Sequence, residues 1–297
     1  MLKKCSVKYK YYRVTKDLYP DLDSLKQITS NDILLIVNYF GLTAHTEQLK
    51  KFLALKNPYL IEDYAHSMLP YEDFSSKIIG DAAIFGLRKA LPLPDGGALY
   101  LKAHPIIPIF FNNERRGLYR SPWKMIIQNY FPNFRAINKL TTLPEKRQSM
   151  HPPSYYEFSY SRPISLRSSK IANTFNYKHL LNLRKKFFNQ YLEGLSSIGD
   201  IEIPLLMKSE VQFVPWVFFF YTSRAEELIN YLRKKGIAST FFPDLPQEII
   251  DSKNFSQTKF LANQSVTLPL HQNLTIDQII LIINAIKNFF NPKDRNE

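Results

Sequence analysis

The sequence predicts an α/β chain in two parts: a large domain over residues 1–175 with a mainly parallel sheet, and a smaller α+β domain over residues 176–297. Three observations predict it. Ile33 to Val37 is a continuous apolar run with β-branched ends, the pattern of a strand buried on both faces. An apolar stripe at helical spacing and a second short apolar run follow, and together they read as a βαβ unit. Beyond Leu180 the rhythm changes to long helices alternating with single strands.

Each element follows in order. The first run ends in Asn38-Tyr39-Phe40-Gly41, a turn with a glycine. From Thr43 to Leu55 the residues Leu49, Phe52, Leu53 and Leu55 are read as one helical face. Pro58 to Ile61 starts a second strand that runs into Glu62 and Asp63, Ala82 to Phe85 is a third, and Ala98 to Leu101 a fourth. Residues 103–175 are rich in proline and aromatics, with loop signals at Asn112-Asn113-Glu114-Arg115-Arg116 and Met150-His151-Pro152-Pro153 and a helix around Trp123 to Tyr130. Leu180, Leu183, Phe187, Tyr191 and Leu195 mark a long helix crossing between the domains. Val211 to Tyr221 reads as a strand whose Pro215 signals an edge or a bulge. Arg224 to Lys235 is a helix closed by Gly236. Ile237 to Phe242 reads as another strand. Thr275 caps a final helix carrying Ile279, Ile282, Ile283 and Ile286.

Composition bounds the function. In 297 residues, 45% are hydrophobic and 22% charged, which is ordinary for a soluble globular protein and excludes wholesale disorder. Cys5 is alone, so a disulfide scaffold is excluded and a reducing compartment fits. The net charge of +13 favours anionic partners, but the charge is scattered and no nucleic-acid motif accompanies it. No apolar run reaches membrane-spanning length, and the basic N-terminus lacks the apolar core of a secretory signal, so a cytoplasmic protein is expected. Zinc-ligand spacing, a Walker loop, a Gly-x-Ser-x-Gly elbow and His-Glu-x-x-His do not occur; no metal is expected.

The residues that carry chemistry lie close together. Asp63 follows the second strand, His66 comes three residues later, Lys89 follows the third strand, and the turn Asp95-Gly96-Gly97 comes after it. In open parallel sheets ligands bind beyond the carboxyl ends of the strands. An acid and an amine placed there are what pyridoxal phosphate chemistry needs. The carboxylate pairs with the pyridinium nitrogen, the lysine bonds to the aldehyde carbon and shuttles a proton, and His66 could meet the ring oxygen. Taken singly, each residue also has an ordinary reading. Lys89 could be solvated, Asp63 a helix N-cap, His66 a satisfied semi-buried histidine, and Asp95-Gly96-Gly97 a hairpin turn. Spacing alone leaves both readings open.

The segment Leu60-Ile61-Glu62-Asp63-Tyr64-Ala65-His66-Ser67, then Gly80-Asp81-Ala82-Ala83-Ile84-Phe85, then Lys89 and Asp95-Gly96-Gly97, resembles the sugar aminotransferases of the DegT/StrS type. Val37-Asn38-Tyr39-Phe40-Gly41 looks like their strand and glycine, and Leu228 to Ile237 and Leu261 to His271 look like their tail. The resemblance runs from about Tyr12 to Phe290 and weakens between 103 and 175. It implies a fold-type I transferase dependent on pyridoxal 5'-phosphate. Lys89 is then the Schiff-base lysine, Asp63 the pyridinium partner and His66 the ring-oxygen contact. The implied reaction moves an amino group, commonly from glutamate, onto a keto sugar carried by a nucleotide. The implied assembly is a homodimer with sites at its interface.

The chain also departs from that pattern. Gly86 stands where the family has a phosphate-holding serine, and the connection to Lys89 is two residues shorter. The leading segment with its phosphate-cradling Gly-Thr or Gly-Ser turn is not found before Ile33, so the large domain reads as N-terminally shortened. The Asn-Tyr-Arg contact of a partner subunit is absent, with Ser165-Leu166-Arg167-Ser168-Ser169 near its place. The expectation is an aminotransferase, alone or completed by a partner chain. The alternatives are a non-catalytic relative acting as a partner subunit and, from a different class, a basic nucleic-acid-binding protein.

Overall fold

Four apolar runs build the first sheet because each is long enough for a strand and is bounded by turn residues. A computed structural model describes residues 6–67, 77–91, 93, 95–103, 164–209, 214–242 and 245–291. The expected helix near Trp123, the two loop signals of the proline-rich stretch, and the start of the run at Val211 lie outside these residues. Strand β1 (Ile33–Val37) leads through helix α1 (Glu47–Lys56) to β2 (Tyr59–Tyr64) and then β3 (Ala82–Phe85). The short helix α2 (Leu87–Ala90) intervenes before β4 (Ala98–Leu101). The strand order is β1-β2-β3-β4, with β1–β2 and β2–β3 parallel and β3–β4 antiparallel. The mainly parallel sheet is therefore present, and β2 lies inside it with a neighbour on each side.

Thr46 caps α1 by accepting the Leu49 amide hydrogen, and Asn57 ends it in the left-handed conformation at φ 49. Leu49 is buried and Phe52 and Leu53 are partly buried against β1 and β2. Leu55 is 81% exposed, which corrects the expected face. Six residues after Leu49, at about 100° per residue, it has turned to the far side of the helix.

The second half begins with α3 (Leu166–Thr174) and the long α4 (Tyr177–Leu195), followed by β5 (Val217–Tyr221) and α5 (Ala225–Lys234). Helices α6 (Gln247–Asp251) and α7 (Ser256–Gln264) lead to β6 (Ser265–Pro269) and the last helix α8 (Ile276–Phe290). Strands β5 and β6 pair antiparallel. The strand expected over Ile237 to Phe242 is not formed; Thr240 makes a single bridge to Thr267, and the ladder partner of β5 is β6. Gly236 closes α5 at φ +78, and Thr275 caps α8 in a reciprocal pair with Gln278, both as expected.

Helix α4 joins two cores. Its Leu180 packs with Leu87, Ala90 and Leu91 around α2. Its Phe187, Phe188, Tyr191 and Leu195 pack with Phe218, Phe220, Val266, Ile279 and Ile286 in the largest core. Phe40 and Leu42, from the turn after β1, belong to that same core. The turn after β1 is thus fixed by residues far along the chain. Among the described residues, no helix is long and apolar enough to cross a membrane.

Candidate active site

Alternation along β2 places Glu62 and Asp63 on opposite faces of the sheet. Glu62 is 1% exposed and saturates its carboxylate. Its Oε1 accepts from the amides of Ile79 (2.8 Å) and Gly80 (2.7 Å), and its Oε2 from Asn38 Nδ2 (3.1 Å), Tyr64 OH (3.0 Å) and His45 Nε2 (2.5 Å). Burial works to raise this carboxyl, but the His45 bond and charge, the Gly80 amide and Asn38 outweigh it, so it is held below its ordinary value. Asn38 in turn accepts the Ala44 amide at 2.8 Å. This network locks the end of β1 to the centre of β2.

Asp63 points the other way. The strand continues past Ile61 to Tyr64, so Asp63 lies inside the ladder opposite Val37 and Ile84. It does not cap a helix. Its Oδ1 accepts the Ala65 amide at 2.7 Å and turns the chain out of the sheet. Burial raises its carboxyl above the ordinary value, while the Ala65 amide and the Lys89 charge pull it back.

His66 sits in that turn among three aromatic rings. It stacks on Phe40 (5.8 Å, 18°), lies 4.5 Å from Trp216 and meets Phe242 edge-on at 5.4 Å. Its Nδ1 accepts the Phe40 amide at 3.3 Å, which puts the ring proton on Nε2. Burial, then the Lys89 charge, push its pKa down to about 3, so the ring is neutral.

Lys89 rides on α2, just beyond β3. Its Nζ lies 4.4 Å from the centroid of the Trp216 ring. Its charge acts on both Asp63 and His66, so the structure brings the three sequence-predicted residues into one electrostatic neighbourhood. Gly86 starts α2 against the backbone of Ala65, where an added Cβ would fall 2.2 Å from Ala65 O. A serine there has no room. The glycine shared with the aromatic wall is Gly41, at φ +85 with its missing Cβ 2.6 Å from Val214 O. Phe40, itself left-handed at φ 60, accepts the Trp216 amide at 2.9 Å and so sets the indole beside Lys89.

Asp95-Gly96-Gly97 is not a two-residue hairpin turn, since α2 lies between β3 and β4. Asp95 accepts from the amide (3.3 Å) and hydroxyl (3.1 Å) of Ser165, which caps α3. Gly96 takes φ +122. Residues that sequence reasoning missed are Tyr12, Tyr39, Phe40, Trp216 and Phe242. Burial, then Asp63, push the Tyr39 phenol up to about 12; Tyr12 is raised by burial, with Tyr39 and Asp63 adding to it. A signal for Trp216 was present: Pro215 ends the strand pattern and leaves the indole outside the β5 ladder.

No protein-family model and no curated protein sequence matches the chain. Solved structures do. Spr1654 of Streptococcus pneumoniae, described as a sugar aminotransferase and solved in its PMP form, matches with TM-score 0.64 at 18% identity, over 98% of this chain and 78% of that one. The sugar aminotransferase CalS13 of Micromonospora echinospora matches with TM-score 0.59 at 13% identity, over 97% and 76%. A DegT DnrJ EryC1 StrS aminotransferase of Brucella abortus matches with TM-score 0.56 at 16% identity, over 96% and 74%. The chain therefore has the fold of these enzymes, the α/β fold expected from its sequence.

Proposed function

We propose that this protein is a pyridoxal-phosphate-dependent aminotransferase of the DegT/StrS type, with Lys89 as its reactive amine. The observation that carries the proposal is the convergence of Lys89, Asp63 and a neutral His66 at the ends of neighbouring strands β2 and β3. That donor set fits the cofactor. The Asp63 carboxylate would accept a hydrogen bond from a pyridinium nitrogen, and that cation would draw its raised pKa down. His66, with its proton on Nε2, is a neutral donor for the ring oxygen. Phe40, Trp216 and Phe242 keep water from the histidine. When bound, the cofactor supplies an electron sink for the carbon from which a proton is taken. Lys89 is the base that takes that proton and returns it, having first given up its own.

The acceptor in this reading is a keto sugar carried by a nucleotide and the donor an amino acid such as glutamate; the neighbours described as sugar aminotransferases support it. Phosphate contacts come from a second chain, either a copy in a homodimer or a complementing partner. The support is Gly86, where a hydroxyl side chain has no space. Residues 1–175 and 176–297 act as the cofactor-binding and small domains, and the lone Cys5 supports a cytoplasmic setting.

The test is direct. Pyridoxal phosphate added to the purified protein gives an absorbance band near the visible edge, and borohydride reduction leaves the cofactor on the Lys89 peptide. Lys89→Ala loses both. If saturating cofactor gives no band and no adduct, alone or with a candidate partner chain, the proposal fails.

A further inference from the structure

Arg184, in the middle of α4, is 2% exposed. Among the described residues its hydrogen-bond partners include no carboxylate. Nη1 donates to Pro215 O at 2.9 Å, and Nη2 donates to Ala90 O at 2.9 Å and to Gln272 Oε1 at 2.7 Å. Among the described residues its Nε has no hydrogen-bond partner. Burial pushes the guanidinium down to about 10, and its charge, after burial, helps to lower His271. A buried charge without a counter-charge is costly, and an apolar side chain of the same length fills such a place more cheaply. The position of its two carbonyl partners gives the arginine a different use.

Ala90 directly follows Lys89, and Pro215 directly precedes Trp216. The Lys89 Nζ and the Trp216 ring are the pair in contact at 4.4 Å. One planar fork thus grips the backbone beside each member of that pair. It also satisfies Ala90 O, a last-turn carbonyl of α2 that has no helical donor. A lysine in this place has a single point of charge and cannot reproduce the fork. We infer that Arg184 is a positioning residue, which holds the Lys89 amine against Trp216 by tying the carbonyls of Ala90 and Pro215 together. This rests on the reading of Lys89 as the reactive amine. Gln272 fixes the plane of the guanidinium from the third side.

The experiment reads the pair itself. Trp123 and Trp216 are the two tryptophans, so a Trp123→Phe background leaves Trp216 as the reporter. In full-length protein its emission changes with pH as the Lys89 amine titrates, and Lys89→Met removes the change. With Arg184→Lys or Arg184→Met the amplitude falls to about half or less, as expected when a fixed contact loosens. Gln272→Ala, which leaves both carbonyl bonds in place, serves as a milder variant if the others do not fold, and gives a smaller fall in the same direction. A merely structural role lowers the melting temperature of these variants and leaves amplitude and midpoint unchanged; that result overturns the inference. Borohydride trapping of pyridoxal phosphate on the wild-type protein is run alongside. Loss of the adduct with the optical dependence on Arg184 intact removes the aminotransferase reading and leaves the positioning role standing.

Discussion

The Lys89 amine lies over the face of the Trp216 indole, 4.4 Å from its centroid. A contact of this kind favours the ammonium form by about 0.5–2 kcal/mol. Replacing Trp216 with Leu removes that preference. Acylation of Lys89 by a small amine-directed reagent, followed by peptide mass spectrometry against the exposed Lys51, should then speed up by about threefold or more at a pH where the amine is mostly charged. An unchanged ratio would show that the indole does not restrain the amine.

Gly86 tolerates no side chain. Its added Cβ would sit 2.2 Å from Ala65 O, a backbone atom that cannot rotate away. Gly86→Ala should destabilise the protein by about 2 kcal/mol or more in urea unfolding. Gly199, whose Cβ would meet nothing within 4 Å, is the control, and its alanine variant should change little.

His66 makes stability depend on pH. Its folded value is about 3, below its ordinary 6.5, so the fold favours the neutral ring. That contribution is complete above 6.5 and is lost as pH falls toward 3. The slope is about 1.4 kcal/mol per pH unit for one proton. His66→Gln keeps an acceptor for the Phe40 amide but does not titrate. Its unfolding free energy should vary less across this window than that of the wild type.

Glu62 holds β1, β2 and the turn before β3 through five acceptor contacts. Glu62→Ala leaves the amides of Ile79 and Gly80 unpaired and should cost about 3 kcal/mol or more. The carboxyl is lowered from 4.5, so its share of stability is present above that pH and fades as pH falls below it. Glu62→Gln should remove that acid-side loss, which denaturant titration at a series of pH values measures.

What the sequence made legible follows its local signals. Strands β1, β3 and β4 are each built on an apolar run and β2 opens on one, and Gly236 and Thr275 announce helix ends by chemistry that is nearly context-free. Asp63, His66 and Lys89 stand out because polar, titratable residues directly after apolar strands have few structural reasons to be there. Strand β6 was missed although Ser265-Val266-Thr267-Leu268 alternates polar and apolar residues: the run is short, and it follows α7 without a turn residue between them. The Ile237–Phe242 stretch has strand-forming side chains but makes only one bridge, from Thr240 to Thr267 on the side of β6 away from β5. Pro215 marks Trp216 as lying outside the β5 ladder, but Phe40, Phe242 and Arg184 were illegible as site residues because their role comes from contacts across the whole chain. In sequence they are ordinary core residues or, for Arg184, an ordinary charge on a helix.

Phe40 shares one core with Ile286, and its carbonyl holds the amide of Trp216. Contacts of such long sequence separation close late and slowly. A ribosome must deliver nearly the entire polypeptide before the turn after β1 finds its partners, so during synthesis that stretch stays open to chaperones and proteases.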